Sequence, residues 1–146
     1  MEQQSVSGAE PSRRENHLVV VAAAVVEQGR LLVVSKKVAP EVFYLPGGKP
    51  EPGETPAEAL ARELDEELGV RPVEPQFLAD IDAIAALEMV PMRLTVFTAG
   101  ISGLPHPAAE LADMRWTNGD EPDIRLSPAV RDQVIPLLKR SGLLAV

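Results

Sequence analysis

The chain has 146 residues, 45% of them hydrophobic, with 22 acidic residues, 14 basic residues and no cysteine. This length and composition fit one domain with a core of ordinary size, and a net charge of −8 argues against a nucleic acid polymer as partner. The lack of cysteine excludes disulfides and thiolate ligands, so any metal must be held by oxygen or imidazole.

The first predicted elements follow a polar N-terminal segment. Residues 1–16 show no hydrophobic periodicity, which predicts a flexible arm ahead of a single domain spanning 17–146. The longest apolar run, Leu18–Val26, is too short for a membrane span and follows no basic leader, so we expect a soluble, cytoplasmic protein. This run and Leu31–Val34 flank a turn signal at Glu27–Arg30. The pattern predicts a β-hairpin of two buried strands.

Further strands and one C-terminal helix are predicted downstream. The strand candidates are Glu41–Leu45, Phe77–Ile84 and Met92–Ile101. A helix is expected over Pro128–Leu138, with Val130, Val134 and Leu137 or Leu138 buried. Strands that alternate with helices in this way indicate an α/β or α+β layer fold.

The central helix has the clearest boundaries. Thr55-Pro56-Ala57-Glu58 supplies an N-cap hydroxyl, a proline in the first turn and the glutamate of a capping box, and Gly69 is suited to end the helix. Helical spacing lines up one apolar stripe, which must face a sheet or the core. The stripe consists of Ala57, Leu60, Ala61, Leu64 and Leu68.

Three glutamates crowd the face opposite this stripe. Glu63, Glu66 and Glu67 repel one another by about 0.2–0.5 kcal/mol per pair, which a solvated surface helix would tolerate without any function. The preceding Gly47–Gly48 pair favours a functional interpretation, because glycine lets the backbone approach a ligand closely. Carboxylates and the Gly48 carbonyl are oxygen donors that Mg²⁺ prefers. Bound cations would explain how an acidic protein attracts a polyphosphate.

The segment from Gly48 to Val70 resembles the Nudix box. Gly48 is followed after five residues by Glu54, and after seven more by Arg62 and the run ELDEELGV, so every defining position matches. The resemblance implies an α/β/α sandwich with a mixed β-sheet, the Nudix helix and a C-terminal helix. It also implies hydrolysis of a phosphoanhydride in a nucleoside diphosphate linked to another moiety, with Mg²⁺ or Mn²⁺ as cofactor.

The resemblance also implies roles for individual positions. Metal ligands are expected at the Gly48 carbonyl and at Glu63, Glu66 and Glu67. Arg62 and Glu54 would orient this group, a task for which a planar guanidinium is better suited than an ammonium. The general base would be Glu63 or Glu66, or else Glu110, a further candidate ligand that could also be a solvated loop residue. Substrate contacts are expected at Tyr44, Gly47, Gly48 and Lys49.

The substrate is less clearly indicated. The run Leu126–Ala129 is similar to the MutT-like branch, which sanitises oxidised guanine nucleotides, but Val130 stands where that branch has a guanine-reading asparagine. Ala85 and Ala86 stand where ADP-ribose pyrophosphatases have a proline. We therefore favour a nucleoside triphosphate, normal or oxidised, cleaved to monophosphate and pyrophosphate. ADP-ribose, nucleotide sugars and dinucleoside polyphosphates are the alternatives.

Two other classes compete with a hydrolase. A Nudix-fold module that senses a nucleotide without cleaving it usually lacks one of the box carboxylates, and none is missing here. A helix whose charges are only solvated would not require Gly48, Glu54 and Arg62 at their positions. The expected partner is therefore a nucleotide-type small molecule rather than a nucleic acid polymer or a membrane, and the resemblance leaves a homodimer open.

Overall fold

The computed structural model describes residues 18–144, so the predicted arm over 1–16 lies outside the described residues. Eight strands and two helices follow one another along this part of the chain, with a π-helical segment before the second helix. They are β1 (Leu18–Ala24), β2 (Val26–Glu27), β3 (Arg30–Lys36), β4 (Ala39–Tyr44), β5 (Gly47–Gly48), α1 (Pro56–Leu68), β6 (Pro72–Ile84), β7 (Pro91–Ile101), β8 (Leu111–Thr117), the π-helical segment (Val130–Val134) and α2 (Ile135–Arg140).

The strands form two four-stranded sheets. The first has the order β5-β1-β7-β6, in which β1 and β7 run parallel and the other neighbours are antiparallel. In the second, β3 pairs with β2, β4 and β8, all antiparallel. The mixed sheet, the Nudix-type helix and the C-terminal helix confirm the predicted α/β/α architecture. Among residues 18–144, no helix has the length and apolar character that crossing a bilayer requires.

The predicted N-terminal hairpin is much shorter than expected. The turn at Gln28–Gly29 is present, and both residues have the positive φ angles of a tight hairpin turn. However, only Val26–Glu27 pairs with Arg30–Leu31, because the chain passes from the first sheet to the second at Val25. The prediction that Leu18–Val26 and Leu31–Val34 form one hairpin was therefore wrong, since the apolar run belongs to two sheets.

The remaining predicted strands are present, but their ends differ from the predicted ends. The strand over Phe77–Ile84 begins earlier, at Pro72, and Met92–Ile101 gains one residue at its start. Strand β8, which had no predicted counterpart, pairs along β3. Its sequence LADMRWT has weak alternation, so only the pairing with a distant strand defines it.

Helix α1 has the predicted ends. Thr55 and Glu58 form a complete capping box, and Gly69 closes the helix at φ 70°. The buried face differs from the predicted stripe, since Ala57 is exposed and Ala61 only partly buried, whereas Ala59 and Glu67 are buried. The interpretation that all three glutamates lie on the face opposite the core was therefore wrong for Glu67.

Two apolar clusters lie on opposite sides of the sheets, because alternate residues of β1 and β3 point to opposite faces. The α1 cluster contains Val21, Ala23, Leu32 and Val34 together with the buried leucines of α1, and Trp116 packs against it. The C-terminal cluster contains Ala22, Leu31 and Val33 with Val130, Val134 and Leu138, and Tyr44 packs against it. The two clusters give each helix its own half of the core.

The C-terminal helix begins with a π-helical distortion. The predicted burial of Val130, Val134 and Leu138 is confirmed. Over Val130–Val134 the hydrogen bonds are those of a π-helix, and the Ile135 amide donates to the Val130 carbonyl. Pro136 explains the distortion, because it has no N–H to donate and its ring would clash with the carbonyl four residues earlier.

Candidate active site

Two adjacent glycines bring the chain against helix α1. Gly47 and Gly48 pair with Ala22 and Val21 of β1. A Cβ atom at Gly47 would overlap the carbonyl oxygen of Val21, and a Cβ at Gly48 would overlap the carboxyl group of Glu63. The sheet therefore requires glycine at position 47, whereas glycine at position 48 leaves the space that the Glu63 carboxyl group occupies.

Glu67 is a buried carboxyl group with one hydrogen bond. Glu67 is 3% exposed, and its carboxyl group accepts a hydrogen bond of 3.1 Å from the Gly47 amide. Burial raises the pKa of Glu67 to about 8, although the Gly47 hydrogen bond and the charge of Lys36 oppose the shift. Glu63 and Glu110 raise this pKa further by their negative charges. A cation at this position would reverse the effect, because it favours the ionised form.

Arg62 connects the glutamates to the loop before α1. Its guanidinium holds both oxygens of Glu54, at 2.7 and 2.9 Å, and also donates to Glu63 at 3.0 Å and to the Lys49 carbonyl at 3.1 Å. The hydrogen bonds from Arg62 lower the pKa of Glu54 to about 2. Burial raises the pKa of Glu63, and Arg62 opposes that rise. Arg62 thus fixes the carboxyl group that touches Gly48.

A cleft of about 350 Å³ opens over this group. Its polar end includes Gly47, Gly48, Lys49, Glu63 and Glu110, all predicted site residues. Its other walls are mainly apolar and come from β1, β7 and the loop after β6, with Tyr44 among them. The Tyr44 hydroxyl is buried without a hydrogen-bond partner among the described residues, and burial followed by the charge of Glu88 raises its pKa.

Not every predicted site residue reaches the cleft. Glu54, Arg62, Glu66 and Glu67 are not among the cleft residues. The Glu66 side chain is 55% exposed and lies 3.5 Å from Arg62. Within residues 18–144, no three acidic or histidine side chains converge closely enough to hold a metal ion as they stand. The cause is local: Arg62 draws Glu63 and Glu66 to itself, while Gly47 holds Glu67.

The structure also separates the aromatic side chains. Phe77 and Phe97 meet edge to face, with centroids 6.2 Å apart, and Trp116 lines a different groove. Of Tyr44, Phe77, Phe97 and Trp116, Tyr44 alone is among the residues that line the cleft. Sequence reasoning missed the cleft residues Lys36 and Ser127, since neither belongs to the box and a lysine beside a turn looks like ordinary surface charge.

Comparison with known proteins identifies the family of this chain. A family model described as the NUDIX domain matches residues 15–138. The human 8-oxo-dGDP phosphatase NUDT18 is 41% identical over 66 residues, which are 44% of this chain and 20% of that protein. A putative 8-oxo-dGTP diphosphatase 2 from Mycobacterium tuberculosis is 49% identical over 55 residues, 36% of this chain and 39% of that one. The matched segments thus span about a fifth and two fifths of these relatives.

One solved structure is similar over most of its length. The crystal structure of a MutT NUDIX hydrolase from Burkholderia pseudomallei superposes with a TM-score of 0.69 at 32% sequence identity. The match covers 79% of this chain and 93% of that one.

Proposed function

Because this chain belongs to the Nudix hydrolase family, we propose that it hydrolyses a nucleoside triphosphate, normal or oxidised, to the monophosphate and pyrophosphate with a divalent metal ion. The names of NUDT18 and of the Mycobacterium tuberculosis relative refer to oxidised deoxyguanosine nucleotides and favour such a nucleotide as the first substrate to test.

The cleft carries this proposal. It has a carboxylate and glycine end, suited to metal-bound phosphates, and an apolar end bordered by Tyr44, suited to a nucleoside. A volume of about 350 Å³ is at the lower end of the range expected for small-molecule pockets, roughly 300–1,000 Å³. The scissile anhydride would lie beside Gly48 and Glu63, which both line the cleft.

The residues present fit a hard divalent cation. The available metal ligands are the Gly48 carbonyl and the carboxylates of Glu63, Glu66 and Glu67. All of them are oxygen ligands of the kind that Mg²⁺ prefers. Glu67 in particular is buried with only one N–H donor, so its ionised form would gain from a cation beside it. Glu66 would have to leave Arg62 to join the set. When bound, the ion would supply charge stabilisation at the phosphates and an acidified water.

The other residues have positioning roles. Arg62 and Glu54 hold the Glu63 carboxyl group at Gly48 through the bidentate pair described above. The attacking water must lose a proton, and of the candidate bases Glu63 and Glu110 line the cleft. Either of their carboxylates can accept that proton. The apolar walls exclude bulk water from the anhydride.

The direct test is the release of phosphate or pyrophosphate with Mg²⁺ or Mn²⁺. The panel should contain 8-oxo-dGTP, 8-oxo-dGDP, the common nucleoside triphosphates, ADP-ribose, nucleotide sugars and dinucleoside polyphosphates. We expect a triphosphate to be turned over fastest, with pyrophosphate as product, and chelation of the metal to abolish the reaction. A preference for ADP-ribose or a nucleotide sugar would overturn the substrate assignment, and binding without turnover would favour a sensing module.

The glycine pair allows a matched test of the site. Gly48→Ala is expected to reduce turnover roughly a hundredfold by displacing Glu63, while the free energy of unfolding changes little because that side chain can move. Gly47→Ala is expected to destabilise the protein by about 1–3 kcal/mol, since its Cβ meets backbone. Kinetics and urea unfolding of both variants check this. Full activity in Gly48→Ala would show that the Glu63 position is not critical.

A further inference from the structure

The loop before β8 is attached to the end of helix α1. The amide of His106 donates to the Leu68 carbonyl at 3.1 Å, and the amide of Ala108 donates to the Glu67 carbonyl at 2.8 Å. These carbonyls belong to the last turn of α1, where the C=O groups have no partner within the helix. The loop therefore satisfies two of them, and the end of the helix fixes the path of the loop.

A tight turn then leads into β8. The amide of Leu111 donates to the Ala108 carbonyl at 3.0 Å, and between them Ala109 has a φ of 54°. This is the left-handed region, which a residue with a Cβ atom rarely adopts and which glycine adopts without strain. Strained backbone persists where the surrounding contacts impose it, and it is frequent at functional sites. The conformation of Ala109 therefore calls for a functional explanation.

The turn presents Glu110 to the cleft. The Glu110 carbonyl accepts a hydrogen bond of 2.9 Å from the Lys37 amide, so its main chain is also fixed at the end of β3. Its side chain is 64% exposed and lines the cleft together with Glu63. The side chain has only one long ion pair, with Nζ of Lys36 at 4.0 Å, and exposed pairs of this kind hold a side chain weakly. The main chain of the turn therefore sets the place of Glu110 at the cleft.

We propose that Ala109 is a positioning residue, whose turn holds the Glu110 carboxylate where it can accept the proton of the attacking water. This inference rests on the proposed function, because it takes that hydrolysis as the reaction. Glu67 reaches the glycine pair through its side chain and the loop through its carbonyl. The end of α1 thus links the expected phosphate end of the cleft to the expected base.

The role of Ala109 is tested by steady-state kinetics with Mg²⁺ and 8-oxo-dGTP, or with the triphosphate that wild type turns over fastest. Ala109→Gly is expected to lower kcat roughly tenfold with little change in KM, because glycine allows the turn several conformations and misplaces the carboxylate. Its urea midpoint should not fall, since glycine adopts the observed φ without strain. Ala109→Asn should stay near wild type, because asparagine tolerates the left-handed region and still restricts the backbone.

Two comparisons separate positioning from a general structural role. In a double-mutant cycle, Ala109→Gly should add almost nothing to the loss caused by Glu110→Gln, because both changes act through the same carboxylate. Gln28→Gly is the matched control and should keep full activity. Gln28 has the same φ of 54°, but it lies in the hairpin turn and does not line the cleft.

Amide hydrogen exchange on the metal-free protein, followed by NMR, tests the attachment of the loop without turnover. The amides of His106 and Ala108 should exchange more slowly than that of Leu104, an exposed residue of the same loop, after correction for intrinsic rates.

Each outcome decides the inference. Full activity in Ala109→Gly or in Glu110→Gln, an additive loss in the double variant, an equal loss in Gln28→Gly, or unprotected amides at His106 and Ala108 would overturn it. If wild type hydrolyses no member of the panel, the proposed function fails and this inference with it. Hydrolysis by wild type together with full activity of Ala109→Gly refutes this inference alone.

Discussion

Glu67→Gln is expected to lower turnover by at least about a hundredfold while raising the stability of the metal-free protein at pH 8. The loss of activity follows if Glu67 is a metal ligand, because the amide keeps the shape of the side chain but removes its charge. The gain in stability follows from the burial of Glu67, which holds the folded pKa near 8 against an ordinary value of 4.5. One substitution therefore moves activity and stability in opposite directions.

The stability of the metal-free protein should fall as the pH rises. Above pH 4.5 the carboxyl group ionises in the unfolded chain but stays protonated in the folded one, so the unfolded state binds fewer protons and stability falls as pH rises to about 8. Wild type in chelator should therefore lose roughly 2–4 kcal/mol more than Glu67→Gln between pH 5 and pH 8. Urea unfolding at both pH values measures this difference.

The control for this prediction is Asp65→Asn, which removes a carboxylate from an exposed position of the same helix. It should keep most of the activity and show the pH dependence of wild type. Two results would contradict the assignment. Undiminished turnover in Glu67→Gln would exclude a metal-binding role for Glu67, and parallel stability profiles of wild type and variant would exclude a raised pKa.

Leu64→Ala is expected to reduce the free energy of unfolding by about 2–5 kcal/mol. Leu64 is 0% exposed and belongs to the cluster that α1 makes with β1 and β3, so its truncation leaves a cavity that the sheets cannot fill. Turnover below the unfolding temperature should change far less than in Glu67→Gln, since the leucine faces away from the cleft residues.

Leu104→Ala is the control, because Leu104 is 82% exposed and should tolerate truncation with a change within about 0.5 kcal/mol. Chemical unfolding of the three proteins gives the comparison. Equal stabilities of Leu64→Ala and wild type would mean that α1 does not pack through Leu64.

The elements defined by short-range signals could be predicted from sequence. Thr55, Glu58 and Gly69 mark the ends of α1 through contacts within a turn of the helix, so its boundaries needed no tertiary information. The environment of Glu67 could not be predicted, because its burial depends on Gly47, which is 20 residues away in the chain. Glu67 follows Leu60 by seven residues, so a helical wheel places it at the margin of the apolar stripe, but the wheel gives no sign of the sheet edge that covers it.

Other features depended on contacts between distant strands. The run from Leu18 onward is apolar throughout, and nothing in it marks Val25 as the point where the chain changes sheets. Strand β8 exists because it pairs with β3, and Lys36 reaches the cleft because that pairing contains a bulge. The box positions could be recognised from their spacing in the sequence. The cleft residues outside the box could be identified only once the fold was known.

The two apolar clusters give the protein two separate optical probes. The chain contains one tryptophan and one tyrosine, and Trp116 packs against the α1 cluster whereas Tyr44 packs against the C-terminal cluster at the cleft. Tryptophan emission should therefore follow the loss of packing around α1. Because Trp116 packs on the opposite side of the sheets from Tyr44, unfolding of the α1 side can be recorded on unlabelled protein apart from events at the cleft.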